Sequence, residues 1–286
     1  MSSPGDLLRL MRPRQWYKNL FVFAAAFFSG NLFDTHLMAL SFIGFVSLCL
    51  VSSANYALND AIDFQRDKLN PEKRIRPIAS GKVSRRAGTA FALVLYAIGM
   101  SAGYFLGLEF LSILAFFSAL TISYSVYFKH VAFLDIIFIG INFVLRAVAG
   151  VLIIGVALSP WFFLSLFFLS FYLVLGKRQG ELLFLGKKAP KHKPVLAVYD
   201  IEIVRDLMQV FMSCLIILYG LYAFFTERLF LLFLYPFLLY ALFRFYYLAK
   251  IGHPASRELE RAFLDRGFLA SAVLFGIGLF LGLYVL

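Results

Sequence analysis

Residues 37–67 read LMALSFIGFVSLCLVSSANYALNDAIDFQRD. The first part, 37–59, carries no charge and is long enough to cross the hydrocarbon of a bilayer as a helix. Its end turns polar before the run is over. Asn55, Asn59, Asp63 and Asp67 recur every four residues and Asp60 stands three before Asp63, so a helix would stack them along one stripe. Polar groups that begin at Asn55 still lie at lipid depth, where they are costly and usually functional. Three carboxylates on one stripe repel each other unless a positive charge sits among them. A hard divalent cation meets that need, and Mg2+ characteristically takes one or two carboxylates plus the phosphate oxygens of a substrate. Lys73, Arg74 and Arg76 follow, then Pro77 and Gly81, and cations there would grip a diphosphate. A solvated helix end with ordinary ion pairs is the plainer alternative.

Outward from this stretch the whole chain has the same character. Of its 286 residues 62% are hydrophobic, including 35 Phe and 15 Tyr, more than one water-soluble core could hide. Apolar stretches at 17–34, 37–59, 87–106, 109–128, 132–156, 160–177, 207–226, 229–249 and 267–286 predict an all-α integral membrane protein with about nine crossings. Short links at Asp34-Thr35-His36, Leu108-Glu109, Ser159-Pro160 and Glu227-Arg228 alternate with long connections at 60–86, 178–206 and 250–266. The side with the long connections also holds the N-terminal arginines, Lys129 and the lysines 187, 188, 191 and 193, whereas the other side shows little beyond Arg228. Positive loops mark the cytoplasm. The expectation is a multi-pass cell-membrane protein, one transmembrane domain over 1–286, with a cytoplasmic N-terminus, an external C-terminus and a central cavity open to the cytoplasmic side. No signal-peptide pattern follows Met1–Asp6, so insertion without cleavage is expected.

The net charge of +11 follows from this topology and from anionic lipid headgroups, and the basic loops hold no nucleic-acid-binding module, so no nucleic-acid partner is expected. Cys49 and Cys214 lie in apolar runs without metal spacing. His36, His130, His192 and His253 likewise have no ligand spacing and are given no role.

The run Asn59-Asp60-x-x-Asp63-x-x-x-Asp67 with Lys73-x-x-Arg76-Pro77-x-x-x-Gly81 behind it resembles the first aspartate-rich motif of the UbiA superfamily of membrane prenyltransferases. The resemblance implies nine helices, active-site loops on the cytoplasmic side, and Mg2+ held by Asn59, Asp60, Asp63 and Asp67 against a diphosphate that leaves as carbon is transferred. Asp60, Asp63, Asp67, Lys73 and Arg76 are then the candidate catalytic residues. Asn55, Asn59, Arg74 and Tyr124 join the candidate substrate-binding set.

The second aspartate-rich motif of that superfamily is not matched. Near the sixth predicted span the chain reads Gly176-Lys177-Arg178-Gln179-Gly180-Glu181, with cations where carboxylates would stand. Glu202 and Asp206 form either a displaced second metal site or ordinary residues at the start of a helix, and the sequence leaves both open. Arg12-Pro13-Arg14-Gln15-Trp16-Tyr17-Lys18-Asn19, Phe128-Lys129-His130 leading to Asp135, Asn142 and Arg146, then Gly176-Lys177-Arg178 and Asp265-Arg266, resemble the decaprenyl-phosphate phosphoribosyltransferase branch. That branch implies 5-phosphoribosyl diphosphate as donor, a polyprenyl phosphate as acceptor and release of diphosphate.

Such a site must neutralise extra phosphate. Lys177, Arg178, Lys129 and the pair Arg14 and Lys18, one α-helical turn apart, are placed to do so, although each also satisfies the positive-inside rule. Arg146 lies deep in a span, where an arginine needs a partner or water, and with Asn142 one turn before it a polar cavity is expected. The partners expected are an isoprenoid phosphate or diphosphate lipid, a small phosphorylated or aromatic co-substrate, and membrane lipid. Two other readings remain: prenyl transfer from a prenyl diphosphate to an aromatic (quinone-type) or glycerol-phosphate acceptor, and, more remotely, an ion or anion transporter.

Overall fold

The computed structural model describes residues 3–70, 73–157, 160–186, 189 and 194–285. Ser159, Lys187, Lys188, Lys191, His192 and Lys193 lie outside these. The described residues fold as helices: α1 (Pro4–Met11), a 3-10 helix (Pro13–Phe23), α2 (Ala24–Phe28), α3 (Thr35–Ile62), α4 (Phe64–Leu69), α5 (Arg85–Leu106), α6 (Leu108–Val126), α7 (Leu134–Ile154), α8 (Pro160–Leu185), α9 (Ile201–Phe225), a short 3-10 helix (Leu229–Leu234), α10 (Tyr235–Lys250), α11 (Pro254–Arg257), α12 (Leu259–Ala262) and α13 (Arg266–Tyr284). Eight helical stretches among the described residues are long and apolar enough to cross a membrane. They correspond to eight of the nine spans read from the sequence. The chain is a multi-pass membrane protein.

The remaining stretch, 17–34, is helical only as far as Phe28, in a run that starts at Pro13 and is not one α-helix. Eleven residues of 3-10 helix run into five of α-helix. Because the 3-10 rise per residue is larger, that segment reaches about 30 Å, the thickness of the hydrocarbon. Polar side chains tie it to α3. Trp16 Nε1 donates to Ser53 Oγ (3.1 Å), and Asn19 Nδ2 donates to Cys49 Sγ (3.2 Å). A Cβ on Gly150 of α7 would stand only 2.0 Å from the Val22 carbonyl oxygen, so glycine there admits the backbone of the 3-10 helix.

Two compact units emerge, Met1–Tyr127 with Leu145–Ala157, and Phe128–Val144 with Leu158–Leu286. In the first, Asp34 caps α3 by accepting from Leu37 N, and Ser84 caps α5 by accepting from Ala87 N. α3 and α5 approach closely through small residues, as lipid-embedded helices do when no hydrophobic effect drives them together. Ser47 Oγ donates to the Gly99 carbonyl at 2.7 Å, and a Cβ on Gly99 would press Val51 at 2.9 Å. The α5–α6 link turns at Gly107, whose φ of 121° and ψ of 155° are open to glycine and to almost nothing else.

In the second unit, Tyr172, Leu175, Val204, Met208, Phe245 and Leu248 form a buried core where α8, α9 and α10 pack. α8 runs on to Leu185, so Lys177 to Glu181 are helical and do not open the long connection that the apolar pattern suggested. α9 likewise begins at Ile201, ahead of the expected 207. The end of α13 is closed by Arg228, whose Nη1 donates to the carbonyls of Gly282 (2.7 Å) and Leu283 (3.0 Å), a cation where the helix dipole favours one.

Candidate active site

The acidic stripe forms, but with a bend. α3 ends at Ile62 and α4 starts at Phe64, with Asp63 between them at ψ 5°. This corrects the expectation of one straight helix through Asp67. Backbone bonds from Asp63 N to Asn59 O and from Asp67 N to Asp63 O, both 2.9 Å, carry the four-residue spacing through the bend. Asn55, Asp60 and Asp67 are buried, whereas Asn59 and Asp63 are half-buried. Tyr96 OH donates to Asn55 Oδ1 at 2.6 Å.

The positive charge among the carboxylates is arginine. Arg76 Nη1 donates to Asp60 Oδ1 at 2.9 Å and to Asp67 Oδ2 at 2.7 Å. Arg12 Nη2 donates to the same Asp60 Oδ1 at 2.5 Å, with its guanidinium 5.0 Å from the Tyr56 ring. Lys73 Nζ stands 4.0 Å from Asp67 Oδ1, and Arg74 is exposed nearby in sequence. Ile78, Ala79 and Val83 are buried and anchor this basic loop, Ile78 and Val83 against Leu10, Ala54, Ala57 and Ala61. Arg12 was absent from the candidate residues. It caps α1 in the left-handed conformation (φ 53°, ψ 60°) immediately before Pro13, a backbone state that costs about 1–3 kcal/mol. No local pattern reports such a turn.

Among the described residues, Asp60 Oδ2 and Asn55 Nδ2 are buried without a hydrogen-bond partner. A carboxylate oxygen left so is expensive unless something binds it. Oxygen donors from Asp60, Asp67 and Asn59 fit Mg2+, which needs only one or two carboxylates when phosphate oxygens complete its shell. Among the described residues no three His, Cys, Asp or Glu side chains gather on one point. Glu202 and Asp206 are exposed on the first turns of α9, where Asp200 caps the helix by accepting from Glu202 N at 3.3 Å.

The other candidates divide. In a 3-10 helix residues three apart eclipse, so the expected pairing of Arg14 with Lys18 is replaced: Lys18 Nζ donates to Gln15 Oε1 at 2.5 Å, and Arg14 is exposed. Arg146 is buried. Its Nε donates to Asn19 Oδ1 at 2.8 Å, and its guanidinium lies 4.8 Å from the Phe117 ring. Asn142, expected beside it, donates from Nδ2 to the Phe138 carbonyl at 2.9 Å. Tyr124 and Lys129 are half-buried.

In the second unit Arg178 and Asp135 form a fully buried pair. Arg178 Nη2 and Nε donate to Asp135 Oδ2 at 2.8 and 3.1 Å, and Nη1 donates to Glu181 Oε2 at 2.6 Å. Tyr199 OH donates to Asp135 Oδ1 at 2.6 Å and accepts from Phe133 N at 2.7 Å. Burial, then the hydrogen bond to Asp135, pushes the Tyr199 pKa up, so it stays a donor. Arg178 is thereby engaged inside the protein, while its neighbour Lys177 is exposed. The two cations read as one clamp in the sequence do different things. An apolar pocket of about 180 Å³ lies between Phe133, Ile136, Phe171, Leu175, Leu207 and Phe211.

Comparison with known proteins adds a family. The model of the UbiA prenyltransferase family matches residues 19–272. The decaprenyl-phosphate phosphoribosyltransferase of Mycolicibacterium smegmatis is 34% identical over 78% of this chain and 72% of its own. That of Corynebacterium glutamicum is 33% identical over 76% and 67%. The structure of a UbiA homologue from Archaeoglobus fulgidus bound to DMAPP and Mg2+ superposes with a TM-score of 0.73 at 20% identity, covering 98% of this chain and all of that one. The buried aspartates, their arginines and these matches lead to one conclusion: the chain is a transferase of the UbiA prenyltransferase family.

Proposed function

We propose that this protein transfers a phosphoribosyl group from 5-phosphoribosyl diphosphate to a polyprenyl phosphate and releases diphosphate. The observation that carries the reading is the bridging of Asp60 and Asp67 by Arg76, with Arg12 on the same carboxylate. Fixed cations beside fixed carboxylates suit a substrate pair that brings several phosphates to one place. The identity to two phosphoribosyltransferases of that name supports the same choice.

In this reading an oxygen of the acceptor phosphate forms a bond to the anomeric carbon of the ribose. The bond from that carbon to the diphosphate oxygen breaks, and diphosphate leaves with the electron pair. Asp60, Asp67 and Asn59, with Asp63 at the bend, would hold Mg2+, which supplies Lewis-acid neutralisation of the diphosphate. Arg76 and Lys73 stabilise the charge that develops on the leaving group. Arg12 fixes the Asp60 carboxylate. Exposed Lys177 and Arg14 are the cations available to an acceptor phosphate, and phosphate is nucleophilic enough to need no strong base. The helix ends and the loop that carry these cations would face the cytoplasm.

The test is product formation by purified protein in detergent with Mg2+. One arm offers 5-phosphoribosyl diphosphate with polyprenyl phosphate. The other offers geranyl or geranylgeranyl diphosphate with aromatic and glycerol-phosphate acceptors. Lipid-linked phosphoribose that disappears on chelation supports the proposal. Prenylated acceptor in its place overturns it and makes the protein a prenyl-transferring member of the family.

A further inference from the structure

A cleft of about 550 Å³ opens in the second unit. Arg244, His253, Arg261, Asp265, Arg266 and Gly267 line it. Its one carboxylate is already matched. Arg244 donates from Nε to Asp265 Oδ1 (3.0 Å) and from Nη2 to Oδ2 (2.7 Å), and Phe268 N donates to Oδ1 (2.9 Å). Among the described residues the side chain of Arg261 reaches only Glu258, in an exposed pair three residues apart of a kind that contributes little. Arg266 is exposed and has no hydrogen-bond or ion-pair partner among the described residues. The cleft therefore keeps two guanidiniums and an imidazole for an incoming anion, and its volume lies within the range of about 300–1,000 Å³ usual for small-ligand sites.

Its position narrows the anion. The cleft lies where α10 ends at Lys250 and α13 begins at Arg266, the ends of two membrane-crossing stretches. Leu264, 79% exposed, adds an apolar wall beside the cations. A ligand with a phosphate for the arginines and an acyl or isoprenoid chain for the lip matches both halves. We propose that this cleft is a phosphate-binding site that takes the headgroup of a membrane-borne anionic lipid. None of the residues assigned to diphosphate chemistry belongs to it, so the two readings stand or fall separately.

Binding of short-chain phosphatidic acid to the full-length protein in neutral detergent, followed by native mass spectrometry, tests this. The acid should bind, and the diacylglycerol of equal chain length should not. The double variant Arg261→Glu/Arg266→Glu should weaken binding by about tenfold or more, the loss expected from charge-assisted hydrogen bonds. Lys82→Glu/Arg86→Glu removes the same charge from exposed positions elsewhere and should leave binding unchanged. Arg266→Gln alone, at an exposed position that does not threaten folding, should weaken it by a smaller factor. Undiminished binding in the Arg261/Arg266 variants overturns the site. Displacement of the lipid by inorganic phosphate at equal concentration assigns the cleft to free phosphate and overturns the lipid source.

Discussion

Arg12 and Asp60, 48 residues apart in sequence, meet at 2.5 Å, and the backbone of Arg12 adopts a left-handed turn to make that contact. The strain is local and the compensation is distant, as at sites where geometry is held for function. Arg12→Ala should remove one of two guanidiniums from a buried carboxylate and destabilise the protein by about 1–3 kcal/mol. Arg12→Gly should relieve the backbone strain but still lose the contact. If the contact matters for chemistry, both variants lose turnover while only the alanine variant keeps the strain. Comparing thermal unfolding in detergent with turnover for the pair separates the two effects.

Arg76 is the other half of this arrangement, because one of its nitrogens serves both Asp60 and Asp67. Asp60→Asn should abolish Mg2+-dependent turnover, and Asp63→Asn should do the same if the residue at the bend reaches the metal. Arg76→Ala removes the cation that bridges Asp60 and Asp67 and leaves Arg12 on Asp60 and Lys73 4.0 Å from Asp67. It should lower turnover by about two orders of magnitude, as removal of a preorganised charge-stabilising donor does, and raise the affinity for Mg2+. A titration of activity against free Mg2+ checks both, and an unchanged midpoint in Arg76→Ala would show that the arginine does not compete with the metal.

The spans were legible because the length of an apolar run is a direct physical requirement of the bilayer. The acidic stripe was legible because a four-residue period survives even the bend at Asp63. What the sequence concealed was partnership across distance. Arg146 was read with Asn142 on its own helix, and nothing local announces that its Nε meets Asn19, 127 residues away. Arg14 and Lys18 were paired by α-helical periodicity, and the 3-10 winding of 13–23 removes that period. Lys177 and Arg178 look alike as neighbouring cations, but adjacent residues on a helix point about 100° apart, so one can face outward while the other is buried.

That last contrast is testable. Asp135→Ala takes two hydrogen bonds from the buried guanidinium of Arg178, which keeps Glu181, and removes the anchor of Tyr199, so it should destabilise the protein by about 3 kcal/mol. Lys177→Ala changes an exposed side chain and should stay within about 0.5 kcal/mol of wild type. If Lys177 holds the acceptor phosphate, its variant raises the KM for polyprenyl phosphate with unfolding unchanged. Unchanged KM would remove it from the binding set.

Asp265 makes the pH dependence of one local contact readable. The hydrogen bonds from Arg244 come first among the causes that hold its pKa at about 2, below the ordinary carboxylate value of about 3.9. A depressed folded pKa means that stability is fully present above about pH 4 and is lost as pH falls toward 2. Asp265→Asn removes this component while keeping the shape of the cap on α13. Thermal unfolding of wild type and variant should therefore differ at pH 6 and converge toward pH 2, and a constant gap would place the effect in packing and not in charge.

Gly150 tests whether the unusual first segment depends on its contact with α7. With 2.0 Å between a Cβ at this position and the Val22 carbonyl oxygen, Gly150→Ala cannot be absorbed by rotating a flexible side chain, because the obstacle is backbone. The 3-10 helix has to move away from α7, and with it Asn19, the partner of Arg146. Overpacking of this kind costs about 1–3 kcal/mol. Loss of the Arg146 contact, which leaves a buried guanidinium with one bond fewer, adds to that. Gly99→Ala offers the comparison within the same unit, since its nearest obstacle is a side-chain atom of Val51 at 2.9 Å, with the Ser47 carbonyl farther off at 3.3 Å. The expected order of detergent stability is wild type, then Gly99→Ala, then Gly150→Ala. Turnover should fall in the same order if displacement of the 3-10 helix carries Arg12 away from Asp60. A Gly150→Ala protein with wild-type stability would mean that the first segment is free to slide and that its close seat on α7 is not what fixes Arg12.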